Sequence, residues 1–294
     1  MKPYTVKSIK ELKNKYNFRM TKSLGQNFLT DRGIIEEIVE GAEIGPDDLV
    51  IEIGPGMGVL TSVVAERARK VIAIEIDSGL LPILAQTLAE YDNIEIINAD
   101  VLKSDLRKLI ENARASDDKI DKVEIIGNLP YYITTPIIMK ILEEEVPASG
   151  ITVMMQKEVA DRIKAHPGTK AYGALSVAVQ YYCVVHDIAA VPREVFVPQP
   201  KVDSTVLRLE IRDKKPVDLL DEKFFFICIR AGFSSRRKTL LNCLTGLEGR
   251  DKDEIRALLV DMGIDPSRRA ETLSIEEFAH LANNMKRGIC ECQK

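Results

Sequence analysis

Histidine is scarce in this chain: His166, His186 and His280 are the whole supply in 294 residues. That leaves little from which to build a histidine-ligated metal centre or a catalytic triad. Cysteine is odd in number and scattered, at Cys183, Cys228, Cys243, Cys290 and Cys292. Such a set is no disulfide framework, and the Cys290/Cys292 pair has no second pair nearby with which to hold a soft metal. Reduced thiols and no bound metal are the expectation. Long apolar runs are missing too. The longest, such as Ile72 to Ile74, are strand-sized, against the roughly 20 residues that cross a bilayer. The first twenty residues are lysine-rich and lack an apolar stretch leading to a small-residue cleavage site, which argues against a secretory signal. The expected setting is the cytoplasm, with no membrane partner.

What the chain does have is apolar material, 45% of its residues, enough for the core of one ordinary domain and a smaller companion. The net charge of -4 does not suggest a nucleic-acid partner, but its distribution does. Up to Leu24 there are seven basic residues (Lys2, Lys7, Lys10, Lys13, Lys15, Arg19, Lys22) against the single acid Glu11. From Ile229 to Asn242 there are four (Arg230, Arg236, Arg237, Lys238) against none. Two local basic patches therefore sit on an acidic chain.

Asp31 precedes Ile34, Ile35, Ile38 and Val39, apolar at helical spacing and stopped by Gly41, which predicts a capped amphipathic helix. Strands at 49–53, 71–76, 94–98, 123–126 and 151–156 then alternate with helices at 60–68, 80–90, 106–113, 136–145 and 157–164. This alternation predicts the α/β class, a doubly wound, mostly parallel Rossmann-like sheet covered on both faces. Two more strands are expected at 177–184 and 204–211, joined by an ordered proline-rich loop over 191–202 at the sheet's edge. From Lys214 onward the spacing is helical, around 224–231, 238–244, 253–262 and 275–285, with Asp265-Pro266 and Ser274 as helix starts. The expected organisation is a basic extension (1–24), a sheet domain (25–212) and a small all-helical domain (213–294).

Gly54-Pro55-Gly56-Met57-Gly58 closes the first strand of the alternation and opens a helix, the place where open parallel sheets bind ligands. Dinucleotide dehydrogenases use a similar turn, so its neighbours must discriminate. Glu52, just before the glycines, suits an ammonium-bearing ligand and would repel a pyrophosphate. Glu75, followed by Ile76, ends the next strand, where a carboxylate can accept both ribose hydroxyls. Asp100, followed by Val101, ends the third, placed to accept an adenine amino group. Glu75 alone would also suit NAD; together the three acids point to S-adenosylmethionine and a class I methyltransferase sheet.

Asn128-Leu129-Pro130-Tyr131 follows the fourth strand of the alternation. Methylating an aromatic amine requires that its lone pair, delocalised into the ring, be localised on nitrogen. The Asn128 amide oxygen and the Leu129 carbonyl can accept the amine hydrogens, Pro130 stiffens that carbonyl, and Tyr131 offers a ring on which an extruded base can stack. Phe196 is the candidate for the opposite ring face, although a phenylalanine between valines is also a common core residue.

These motifs resemble the ribosomal RNA adenine N6,N6-dimethyltransferase family over nearly the whole chain. The resemblance rests on Leu24-Gly25-Gln26-Asn27-Phe28-Leu29, the Ile53 to Gly56 turn, Asn128 to Tyr131, the Phe196 to Ser204 loop, and Phe233-Ser234-Ser235-Arg236-Arg237-Lys238-Thr239-Leu240. The last two look like the small-subunit branch more than the 23S methylases of macrolide resistance. The resemblance implies that Gln26, Asn27 and Leu29 close over the cofactor's methionine end, with Gly54 and Gly56 under it. It also implies that Glu75 takes the ribose, Asp100 the cofactor adenine, Asn128, Leu129 and Tyr131 the target base, and Phe196 its other face. The implied substrate is two adjacent adenines in the 3'-terminal hairpin loop of small-subunit rRNA, each receiving two methyl groups; the expected partner is that RNA in a 30S precursor and the default oligomeric state a monomer. Lys201, Arg236, Arg237 and Lys238 would meet RNA phosphates. Methylation of DNA adenine or of a glutamine amide, docking on an immature subunit without catalysis, and a dehydrogenase remain as rivals.

Overall fold

The lysine-rich start of the chain is a helix, α1 (Val6–Lys15), begun by a reciprocal cap: the Ser8 amide donates to Thr5 Oγ1 at 3.1 Å and the Thr5 amide to Ser8 Oγ at 3.2 Å. Ile9 and Leu12 on its inner side join Phe18, Phe28, Met57, Ile83 and Leu84 in one buried cluster, while Lys7, Lys10 and Lys15 stay in water. The basic start is thus packed structure, which its charge pattern had concealed. The computed structural model describes residues 4–21 and 24–292, the side chains only to 287. Lys2, Lys22 and the side chains of Cys290 and Cys292 lie outside the described residues.

Contacts divide the chain into two units, Met1–Ala160 with Val184–Ile211, and Asp161–Cys183 with Arg212–Lys294. In the first, β1 (Phe28–Leu29) leads to α2 (Arg32–Gly41), where the Asp31 carboxylate accepts from the Ile34 amide at 3.1 Å, the cap expected of it. There follow β2 (Leu49–Ile53), α3 (Val59–Ala65), β3 (Lys70–Glu75), α4 (Leu81–Thr87), β4 (Ile94–Asn98), α5 (Leu106–Ser116), β5 (Val123–Asn128), α6 (Thr134–Glu143), β6 (Gly150–Gln156) and α7 (Lys157–Lys164). Later come α8 (Ala174–Tyr182), β7 (Cys183–Val191), β8 (Phe196–Val197) and β9 (Ser204–Ile211). The large sheet has the order β4-β3-β2-β5-β6-β9-β7, with β4 through β6 parallel and β9 antiparallel to β6. β2 is buried along its whole length and β5 along all but its last residue, because helices cover both faces; the edge strand β4 is half exposed. Parallel strands carry their carboxyl ends to one edge, and β2, β3, β4 and β5 deliver Ile53, Glu75, Asn98 and Asn128 there.

One strand was misread. The expected strand over 177–184 is mostly helix α8, with β7 beginning only at Cys183. Seven of the nine α8 residues are buried, including Val177, Ala178, Val179, Tyr181 and Tyr182. A helix buried on all sides has no polar face, so its hydrophobicity lacks the 3.6-residue period, and its β-branched and aromatic residues read as strand. The segment 161–183 accordingly groups with the helical unit, not with the sheet domain to which the sequence reading gave it.

That second unit continues with α9 (Glu222–Gly232), α10 (Leu240–Leu244), α11 (Lys252–Asp261) and α12 (Ile275–Cys292). Ser274 does start a helix, in a capping box with Glu277 at 3.2 and 2.9 Å. Asp265-Pro266 does not: Asp265 accepts from the Ser267 amide at 2.8 Å and closes a turn instead. Among the described residues no helix is long and apolar enough to cross a membrane.

Beside the sheet of the first unit lies a buried ion pair, Arg208 with Glu124, joined at its outer end by the exposed Glu43. Arg208 on β9 reaches Glu43 at 3.1 Å, Glu124 on β5 at 3.4 Å, and the Gly41 carbonyl at 3.3 Å. Burial pushes the Glu124 carboxyl up to about 7, opposed by the Arg208 charge. Removing one partner of such a pair leaves the other unsatisfied in the interior. Arg208→Ala is therefore expected to cost about 3–5 kcal/mol, read as a lower denaturant midpoint; an unchanged midpoint would show that the cluster is solvated.

Candidate active site

One cleft of the first unit, about 1160 Å³ including its open mouth, runs along the carboxyl edge of the parallel strands. It is lined by Gln26, Asn27, Leu29, Glu52, Gly54, Gly56, Glu75, Ile76, Asp100, Val101, Asn128, Leu129, Pro130 and Tyr131, fourteen residues singled out in the sequence from five separate segments. Gly54 has φ +72°, and a Cβ there would meet no atom within 4 Å, so the turn presents bare backbone to open space. The Gly54 amide donates to the Ile74 carbonyl at 3.0 Å, locking the turn between β2 and β3.

Among the described residues three carboxyl groups line this cleft and no lysine, arginine or histidine does. Glu52 is 1% exposed, and its Oε2 has no hydrogen-bond partner. Burial raises it to about 8; the Thr61 hydroxyl lowers it and the neighbouring charge of Glu75 raises it further. Glu75 Oε1 accepts from the Asp77 amide at 2.8 Å and Oε2 from the Gly56 amide at 3.2 Å, and burial raises this carboxyl as well. Each of its oxygens keeps a lone pair for a ligand hydroxyl. Asp100 caps the turn after β4 by accepting from the Leu102 amide at 3.0 Å, with Lys103 at 3.7 Å. A buried acid with one unpartnered oxygen, in a cleft whose described charged residues are all acidic, fits a ligand carrying an ammonium and a sulfonium, and it disfavours a pyrophosphate.

The strap before β1 closes one side. Gln26 donates to Asp77 Oδ2 at 2.7 Å and accepts from the Thr21 amide at 3.0 Å, so its polar atoms are held by protein groups. The Asn128 amide nitrogen donates to the Asn27 carbonyl at 2.9 Å. That bond fixes the side-chain orientation and leaves Oδ1 as the free acceptor. Behind Asn128 the backbone passes so close to β2 that a Cβ on Gly127 would lie 2.6 Å from the Ile53 carbonyl oxygen; glycine is required for Asn128 to sit where it does. The Pro130 carbonyl accepts from the Ile133 amide at 3.0 Å and from Thr134 Oγ1 at 3.1 Å, starting α6.

Tyr131 is half-buried, with its hydroxyl 2.9 Å from Ser204 Oγ on β9. Burial raises that phenol above its usual range. Phe196 does not line the cleft. It is 3% exposed, pairs with Leu29 across the β1–β8 ladder, and belongs to the core with Ile35, Ile38 and Val206. The flanking valines signalled this burial, and the stacking role given to Phe196 is not supported by its position here. Lys201 is exposed in the first unit; Arg236, Arg237 and Lys238 are exposed in the turn between α9 and α10 of the second. Sequence reasoning missed Ser204, which anchors Tyr131, and Tyr132, on the rim beside it. The signal for Ser204 was its place inside a motif already noted, whereas Tyr132 had only its adjacency to the tetrapeptide.

The sheet order, the glycine turn and the acid-lined cleft define an S-adenosylmethionine-dependent class I methyltransferase. The family model for ribosomal RNA adenine dimethylases matches residues 17–287. The ribosomal RNA small subunit methyltransferase A of Clostridioides difficile (strain 630) is 54% identical over 276 residues, 93% of each chain. That of Alkaliphilus oremlandii (strain OhILAs) is 53% identical over 284 residues, 96% of this chain and 98% of the relative. Among solved structures, a dimethyladenosine transferase from Plasmodium falciparum superposes with TM-score 0.74 at 26% identity, covering 89% of this chain and 98% of the other. The 23S rRNA methyltransferase ErmE does so with TM-score 0.66 at 28% identity, covering 88% and 99%. The chain belongs to the ribosomal RNA adenine dimethylase family.

Proposed function

We propose that this enzyme dimethylates the N6 amines of two adjacent adenines in the 3'-terminal hairpin loop of small-subunit rRNA, acting as a cytoplasmic monomer on a 30S precursor. The observation that carries the reading is the Asn128 amide, whose nitrogen is committed to Asn27 and whose oxygen is left to accept an amine hydrogen beside an acid-lined cleft. Glu52, Glu75 and Asp100 would hold the ammonium, ribose and adenine of S-adenosylmethionine, which would supply a methyl group already activated by the sulfonium charge.

The protein's part is positioning and electrostatics. Asn128 Oδ1 and the Leu129 carbonyl accept the two N6 hydrogens, which holds the amine out of conjugation and directs its lone pair at the methyl carbon. The Tyr131 ring, kept in place by Ser204, stacks on the base. Each transfer would form an N–C bond as the sulfonium S–C bond breaks, the electron pair going to sulfur and leaving S-adenosylhomocysteine, with one amine proton released to solvent. After the second transfer the nitrogen carries no hydrogen, so both acceptors lose their donors and the product is held less well than the substrate.

The reading is tested with labelled cofactor and separate pools of unmodified small-subunit RNA, duplex DNA and protein. Label recovered as dimethyladenosine at neighbouring RNA positions is expected; label in DNA or protein alone would overturn the proposal. Lys201, Arg236, Arg237 and Lys238 meet phosphates in this reading. RNA affinity should thus fall steeply with salt, and replacing Arg236 and Arg237 by alanine should flatten the slope of log affinity against log salt by about one to two. An unchanged slope would remove these two residues from the interface.

A further inference from the structure

Tyr132 is the one exposed aromatic ring among the described residues, 61% accessible, while every other tyrosine and phenylalanine is buried or half-buried. It follows directly on the Asn128–Tyr131 turn and forms part of the rim of the cleft. One ring edge faces Gly25, whose φ is +59° and where an added Cβ would lie 3.5 Å from Tyr132 Cε1 and 3.7 Å from Cδ1. Pro130 borders the same point, its Cβ 3.5 Å from that position. The ring thus runs along the Gly25 backbone on one edge and is open to solvent over most of its surface, at the rim of the cleft. Its place at the mouth of the cleft, next to the base-holding turn, gives this ring a face that an incoming base can cover.

We propose that Tyr132 is a second stacking platform, which receives the nucleobase adjacent to the adenine in the cleft; this rests on the reading that an RNA adenine enters there. Extruding one base breaks its stack with its neighbour and uncovers the neighbour's face. A planar ring at the rim replaces that lost stack with any base, because every base offers a π face. The platform lowers the cost of extrusion and, where two adjacent adenines are modified in turn, parks one while the other reacts.

The test uses the full-length enzyme and 30S precursor particles whose 3'-terminal RNA hairpin carries 2-aminopurine, whose fluorescence is quenched by stacking, at the target position or at either flanking position. With the wild type and Tyr132→Phe, the probe at one flanking position should stay quenched when the enzyme binds. With Tyr132→Leu, apolar but without a planar ring, it should brighten, and KM for RNA should rise about tenfold, the scale of one base–aromatic stack, with little change in kcat. An RNA that is abasic at that position should erase the difference between wild type and Tyr132→Leu. A response at the target position, with no effect of Tyr132→Leu at either flank, would overturn this proposal alone. No response at the target position in the wild type would overturn the underlying reading of the cleft.

Discussion

Replacing Asn128 by alanine should lower methyl transfer by about 10²–10³-fold, the usual loss when one preorganised hydrogen-bonding group is taken from a reacting centre. Two contributions add to it. The amine loses the acceptor that holds its hydrogen, and the strap loses the 2.9 Å bond from the Asn128 amide to the Asn27 carbonyl. Asn128→Asp separates them: an aspartate keeps an acceptor but sets a carboxylate against that carbonyl, so the strap loosens while the amine still has a partner. Transfer is measured in a single turnover with labelled cofactor, and RNA affinity by filter binding. Affinity close to wild type with transfer abolished assigns Asn128 to the chemistry. A parallel loss of both would make it structural. The same pair of measurements separates catalysis from docking alone, because a factor that only docks on an immature subunit would be indifferent to Asn128.

Most of the cleft was legible in the sequence, because parallel α/β architecture turns position along the chain into position in space. Each of the strands β2 to β5 ends at the same edge, so Glu52, Glu75, Asp100 and Asn128, each at or near a strand's carboxyl end, had to converge. Features away from these strand ends were harder to read. The helix α1 carries only two buried apolar residues among its lysines, Ile9 and Leu12, too few for a period to stand out. The helix α8 fails for the opposite reason, having almost nothing polar on any side. Phe196 was placed by motif, and the local β1–β8 pairing, invisible in the sequence pattern, decides that its ring lies in the core. Hydrogen bonds such as Tyr131 to Ser204 join positions 73 apart and have no local signature.

Glu52→Gln should stabilise the ligand-free enzyme in alkaline solution and weaken its cofactor binding, two effects with one cause. Burial raises the Glu52 carboxyl from 4.5 to about 8. The unfolded chain releases that proton near pH 4.5, while the folded chain keeps it until near 8. Between these limits the unfolded state binds fewer protons, so stability falls as pH rises through the window and levels off above it. The full loss approaches 5 kcal/mol, at about 1.4 kcal/mol per pH unit. Glutamine, nearly isosteric and uncharged, removes this titration. The melting temperatures of the two proteins should coincide near pH 4.5 and diverge in favour of Glu52→Gln up to about pH 8. A shallower slope below pH 7 should persist in the variant, because Glu124, raised to about 7, has the same sign. Cofactor binding runs the other way. An ammonium group held by Glu52 requires the carboxylate, so binding below pH 8 expels a proton, and wild-type affinity should climb with pH by up to about tenfold per unit before levelling. Glu52→Gln should bind more weakly and without that slope. Calorimetric titration in buffers of different ionisation heat measures the proton directly; equal affinity and no proton release in both proteins would place the ammonium elsewhere in the cleft.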